Sequence, residues 1–356
     1  MAIGKSSAYA KLLIVPVPKA SGRRKLTRFA IIFGVTIALG AATNSASRTE
    51  AALPSPPLVS LGEHLFRSPS LSRDGSISCQ TCHIPALGFS GDRPLAMGVA
   101  GFVSGRHAPS LLGLAEAKSL MWDGRAADLR SQATFPLESP EMAIDWPVAL
   151  QRLNSDQAAG KLVAAFGGAD IDRDLVLDAL AAYVASLVPG ESRFDRYNLR
   201  HDERALTPQE LVGFRLFTRK ARCAGCHLVN AQHAPFTDGH FHATGVGCRA
   251  GSCGDAGRAA ISGNQSDTAA FKTPGLRGVA LRRYLMHDGS VSSLRAAVER
   301  YNRGPGGTPA LDGRLGPLYL SADEVDAIVA FLGALTPENL INTEPVSISS
   351  STKETR

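Results

Sequence analysis

A chain of 356 residues is long enough for two domains of ordinary size, and 44% hydrophobic with 20% charged residues is the balance of a globular protein, neither disordered nor membrane-embedded. The formal net charge of +6 invites a nucleic-acid partner, but residues 1–28 hold seven basic residues (Lys5, Lys11, Lys19, Arg23, Arg24, Lys25 and Arg28) and no acidic one, so the rest carries −1. The excess belongs to a leader, and no nucleic-acid partner is expected.

That leader is the first predicted element. Its basic stretch runs into an apolar segment from Phe29 to Ala42, and small residues follow as far as Ala46. This is the order of a secretory signal over residues 1–46. The apolar segment is shorter than the ~20 residues that span a bilayer, which weighs against an uncleaved anchor. The mature chain is therefore expected in the periplasm and not integral to the membrane.

A helix ending in a Leu-Phe pair, Leu61 to Phe66, leads to Cys79-Gln80-Thr81-Cys82-His83. A turn, Met121-Trp122-Asp123-Gly124, leads to Leu129, and an apolar helix around Leu177 to Val184 closes this half. The same order then repeats. Thr207, Pro208 and Glu210 open a helix with an N-cap, a first-turn proline and a capping box, and it ends in Leu216-Phe217. Cys223-Ala224-Gly225-Cys226-His227 follows, then Met286-His287-Asp288-Gly289 leading to Leu294 at the same offset. Ser321 and Glu324 cap a closing helix through Val325 to Leu332, and residues 341–356 read as a flexible tail.

The C-x-x-C-H spacing carries the chemistry. Two thiols on one helical turn add across the two vinyl groups of haem, and the adjacent histidine becomes the proximal iron ligand. Cys79, Cys82 and His83 would hold one haem, and Cys223, Cys226 and His227 a second. A zinc site would need a matching second ligand pair beside each motif. A thioredoxin-type redox pair would need a βαβ context. Neither is evident, and two motifs behind an export signal favour haem. Cys248 and Cys253 read as a small disulfide loop in an oxidising compartment, with a pair of free thiols as the alternative.

A helix before the haem motif, loops, then a closing helix is the order of a class I cytochrome c domain. The expected fold is all-α: two such domains, over about residues 55–200 and 201–340, each with one covalent c-type haem. The sixth ligands separate their roles. Seven residues past Leu294 stands Tyr301; seven past Leu129 stands Pro136, whose side chain cannot ligate iron.

Several further motifs occur in order around both haems. They are Leu71-Ser72-Arg73-Asp74-Gly75, Gly105-Arg106 with Ala108-Pro109-Ser110-Leu111, Trp122-Asp123-Gly124-Arg125, Glu141-Met142, Phe271-Lys272-Thr273-Pro274 with Leu276-Arg277, and His287-Asp288-Gly289-Ser290. Over roughly residues 58–337 the chain resembles the bacterial diheme cytochrome c peroxidases, and more closely their MauG-type branch.

The resemblance implies a peroxidatic haem on His83, an electron-transfer haem on His227, and Trp122 as a relay between them, where a packed core tryptophan is the alternative. It places Gln132 and Glu141 in the distal pocket, with Glu141 as acid/base. It implies Tyr301 as the second ligand of haem two, with Met286 as rival. The histidine that caps the first haem in resting peroxidases is replaced by Val99, so that haem is expected open. A calcium ion is implied between the haems, with Lys272 and Pro274 offering carbonyls. Yet His107 stands where the family has an asparagine ligand, and imidazole suits calcium poorly.

The expected activity is reduction of hydrogen peroxide at the open haem, with electrons from a small donor protein, a cytochrome c or a cupredoxin. One alternative is a MauG-like oxidation of Trp or Tyr residues in a protein substrate. A second is a diheme electron carrier, which Val99 and Pro136 disfavour.

Overall fold

The computed structural model describes residues 54–341 apart from 166, 169, 231–233, 250, 251 and 306–310, so the expected leader and the tail beyond Ile341 lie outside the described residues. Helices α1 (Pro56–Arg67), α2 (Cys79–Cys82), α3 (Leu129–Glu138), α4 (Trp146–Asn154), α5 (Gln157–Ala164) and α6 (Arg173–Ser186) come first. They are followed by α7 (Arg193–Arg200), α8 (Pro208–Thr218), α9 (Ala259–Ser262), α10 (Leu294–Arg303), α11 (Ala322–Gly333) and α12 (Glu338–Ile341). The capping boxes read from sequence at Thr207/Glu210 and Ser321/Glu324 form as expected, starting α8 and α11.

Helical frames are joined by long loops and, among the described residues, two small ribbons. Strands β1 (Phe241–Ala243) and β4 (Ala270–Lys272) pair antiparallel, as do β2 (Cys248–Arg249) and β3 (Ser252–Cys253). Cys248 and Cys253 face each other across the second ribbon and form a disulfide.

Each half has its own apolar core. In the first, Leu61, Leu65 and Phe66 of α1 pack against Val176, Leu177, Leu180 and Tyr183 of α6, with the Phe66 and Tyr183 rings 5.0 Å apart. In the second, Phe217 of α8 and Phe331 of α11 lie 5.2 Å apart within a cluster that includes Phe194 and Phe236. These edge-on and tilted aromatic contacts add to the area they bury.

The two helix crossings repeat at the atomic level. Gly62 of α1 lies against the carbonyl of Ala179, and Gly213 of α8 against that of Ala327. A Cβ at either glycine would fall 1.9 Å from the carbonyl oxygen. Helix propensity alone would make Gly→Ala stabilising by about 1 kcal/mol. The obstacle here is rigid backbone, and overpacking of that kind costs about 1–3 kcal/mol or more. G62A and G213A are each expected to lower the urea midpoint of the holoprotein; a rise in either midpoint would contradict the crossing geometry.

The two Met-x-Asp-Gly turns are also superimposable in kind. Each is closed by one bridge, Leu120 to Ala126 and Leu285 to Val291. Met121 and Met286 both adopt positive φ, 67° and 71°, as do Gly124 and Gly289 at 72° and 64°.

Candidate active site

A continuous cavity of about 830 Å³ runs through both halves, and both C-x-x-C-H motifs line it. Cys79, Cys82, Cys223 and Cys226 are free thiols of intermediate burial, so none is consumed by a disulfide. Burial pushes the Cys79 and Cys223 thiols up to about 12. The His83 amide donates to the Cys79 carbonyl at 2.9 Å, and the His227 amide to the Cys223 carbonyl at 2.9 Å. Both thiols and the imidazole are thereby gathered on one turn.

The two histidines are held in the same way. Nδ1 of His83 lies 3.1 Å from the Phe89 carbonyl, and Nδ1 of His227 lies 2.9 Å from that of Phe236. A carbonyl can only accept, so Nδ1 carries the proton and the Nε2 lone pair is left for a metal, the usual arrangement of a ligating histidine. Burial pushes His83 down to about 4 and lowers His227 as well, keeping both neutral. These residues suit two covalently attached haems.

Glu141, Gln132, Pro136 and Trp122 line the same cavity as His83. The Glu141 carboxylate accepts from the hydroxyl of Ser104, at 3.1 Å, and from that of Ser139. Its carbonyl accepts from the Val99 amide at 3.0 Å, and a Cβ at Gly98 would sit 2.6 Å from that oxygen. Val99 is buried at 7% exposure. The loop that carries it clamps the Glu141 backbone.

Tyr301, on α10, lines the cavity in the second half, and burial pushes its phenol up to about 12. The helix is N-capped by Ser293, whose hydroxyl accepts from the Ala296 amide at 3.1 Å. Met286 and Met121 line the cavity too, in their paired turns.

Trp122 sits where the halves meet. Its Nε1 donates to the His107 carbonyl at 2.8 Å, and its own carbonyl accepts from the Lys272 amide at 2.8 Å. Its ring meets His287 edge-on at 6.4 Å, and His287 stacks on Phe271 at 3.6 Å. Trp122 and His287 occupy equivalent positions of the two repeated turns, so the repeat brings its own copies face to face. Arg106 lies 5.3 Å over the Phe271 ring and bridges Asp123 at 2.6 Å and Asp255 at 2.7 Å. Burial opposes charge on Asp123, but Arg125 and Arg106 outweigh it and hold the carboxyl below its usual range.

Arg106 and His287 fall in motifs named from the sequence, but their contacts with Asp255, Phe271 and Trp122 were not legible there, although the repeat register could have pointed to His287. His242 is held between Asp238 at 2.8 Å and Asp312 at 2.7 Å.

The expected calcium ligands fare differently. Lys272 and Pro274 line the cavity. Both ring nitrogens of His107 are already engaged, Nδ1 with the carbonyls of Arg93 and Pro94 at 2.9 and 3.2 Å and Nε2 with the Ser90 hydroxyl at 3.0 Å. No side-chain oxygen replaces the asparagine at this position, and the site does not suit a calcium ion.

Known proteins match both cytochrome c-type halves. The profile of the di-haem cytochrome c peroxidase family matches residues 56–204, and that of cytochrome c matches residues 212–336. The chain is 38% identical to the methylamine utilization protein MauG of Methylorubrum extorquens, over 82% of this chain and 81% of that protein. It is 32% identical to the cytochrome c551 peroxidase of Nitrosomonas europaea, over 78% and 80%. Among solved structures, a MauG-like protein associated with microbial copper homeostasis superposes with a TM-score of 0.74 at 28% identity, covering 82% of this chain and 93% of that one. The diheme peroxidase BthA of Burkholderia thailandensis does so with a TM-score of 0.70 at 27% identity, covering 83% and 89%.

Proposed function

The chain belongs to the di-haem cytochrome c peroxidase and MauG family, and from that membership we propose that it reduces hydrogen peroxide in the half built on His83, with electrons arriving through the half built on His227. The reading rests chiefly on one observation. Tyr301 and Pro136 occupy equivalent positions of the repeat and both line the cavity, so one half offers an oxygen ligand where the other offers none. Met97 also lines the first half, but its sulfur takes a hydrogen bond from Arg93 at 2.9 Å.

Two attached haems supply the redox chemistry: an iron accessible to peroxide in one half and an electron store in the other. The net reaction takes two electrons and two protons per peroxide and releases two waters. The chain's own residues manage the protons and the geometry. Glu141, oriented by the Ser104 and Ser139 hydroxyls, takes a proton from the near oxygen of peroxide and returns it to the departing one. Gln132 orients the bound peroxide through its amide. Trp122, pinned by His107 and Lys272, stands between the halves as the relay. The donor is a small redox protein such as a cytochrome c or a cupredoxin. The basic leader, the apolar segment after it and the Cys248–Cys253 disulfide support a periplasmic location. No helix among the described residues is long and apolar enough to cross a membrane.

Tyr301 favours a second reading, in which the stored oxidising equivalents modify aromatic residues of a partner protein, as the likeness to MauG suggests. Absorption and EPR spectra of the resting holoprotein test both. One high-spin and one low-spin haem are expected, with stoichiometric peroxide altering both. Two six-coordinate low-spin haems at rest would refute the open site. Sustained turnover with reduced cytochrome c then separates the peroxidase from the protein-modifying reading.

A further inference from the structure

The failure of His107 as a calcium ligand leaves a question of charge, because the part of the cavity it borders also contains a cation with no counter-ion among the described residues. Arg282 lines the cavity, and its Nε is shut off from solvent with no acceptor among the described residues. One of its terminal nitrogens donates to the carbonyls of Gly275 at 2.9 Å and Arg277 at 2.8 Å, close in sequence to the carbonyl expected from Pro274. No carboxylate among the described residues pairs with it: burial moves it down to about 10, which leaves it protonated at neutral pH. Lys272 is a second cation of the same lining that only burial affects.

Arg282 is also placed between the halves. His107 and His227 are lowered first by burial, and in both the positive charge of Arg282 adds to the effect. A buried cation with no protein carboxylate calls for an anion from elsewhere. The groups that the two cysteine motifs bring into this cavity each carry two carboxylates, the haem propionates. Arginine binds a carboxylate through parallel N–H donors, and Nε is one of the donors such a pair uses. A divalent ion beside a fixed guanidinium would instead meet like charge.

We propose that the Arg282 guanidinium takes the place of the inter-haem calcium ion, pairing with a haem propionate, so that this chain works without calcium. The inference depends on the two attached haems and not on the peroxidase reading, and its readouts are metal content and potential rather than turnover.

The test begins with the unaltered holoprotein. After dialysis against EGTA, the calcium content should fall well below one ion per chain, with absorption spectra and both midpoint potentials unchanged. Added calcium should leave them unchanged too. Removing a nearby positive charge favours the ferric state. R282Q should therefore shift the ferric/ferrous equilibrium of at least one haem about tenfold, close to 59 mV downward for a one-electron couple. R282K, which keeps the charge, should retain most of the parent potential. One tightly held calcium per chain whose removal changes the spectrum would overturn the proposal. So would R282Q potentials equal to those of the parent. If R282Q does not incorporate haem, the chelation result on the parent and the R282K potential still decide.

Discussion

Replacing Glu141 by Gln should lower peroxide turnover by about 10²–10⁴-fold, the range that a positioned general acid/base contributes. Glutamine keeps the shape of the side chain and an oxygen that can accept from Ser104 or Ser139, but it cannot take up and return a proton. The backbone at this position is held independently of the side chain, by the Val99 amide and by the close approach of Gly98. The resting spectrum and the haem content of E141Q should therefore match those of the parent, so that a loss of rate reads as lost proton transfer. Steady-state assays with reduced cytochrome c, varied in peroxide, give the measurement. A rate within threefold of the parent would remove Glu141 from the chemistry and direct attention to Gln132.

The second large effect is expected at Tyr301. Y301M should raise the midpoint potential of the second haem by an amount on the order of 0.1–0.4 V, part of the ~0.8 V over which axial ligands tune haem iron. The reason is charge. A phenol ligates iron as its anion, which stabilises the ferric state, whereas a thioether is neutral and raises the potential. Burial already opposes ionisation of this phenol, pushing it up to about 12, so only a strong positive partner such as iron would hold the phenolate there. Spectroelectrochemical titration would resolve the two haems, and the first should not move by a comparable amount. An unchanged second haem would exclude Tyr301 as its ligand and favour Met286, which lines the same cavity.

The two predictions draw on different kinds of information. Tyr301 could be found by counting along a repeat, because the spacing from Leu294 is local and both copies of the helix keep it. Glu141 could be named only from the resemblance, and its setting was invisible in sequence. The loop around Gly98 and Ser104 that orients it lies some forty positions away. The disulfide was one of two open readings until β2 and β3 set Cys248 opposite Cys253.

What the sequence determined by itself is the covalent chemistry and the doubled frame. Haem attachment depends on two thiols and an imidazole within one helical turn. The helices at either end of each half are signalled by capping boxes and apolar spacing, which are also short-range. Only the tertiary structure decided how the halves meet: Trp122 against His287, Arg106 bridging to Asp255 across 149 positions, and the Nε of Arg282 left with no acceptor among the described residues. Those contacts arise where the two apolar cores are packed into one unit. No local periodicity encodes which side chains such a junction brings together, or which buried charge it leaves for a ligand to balance.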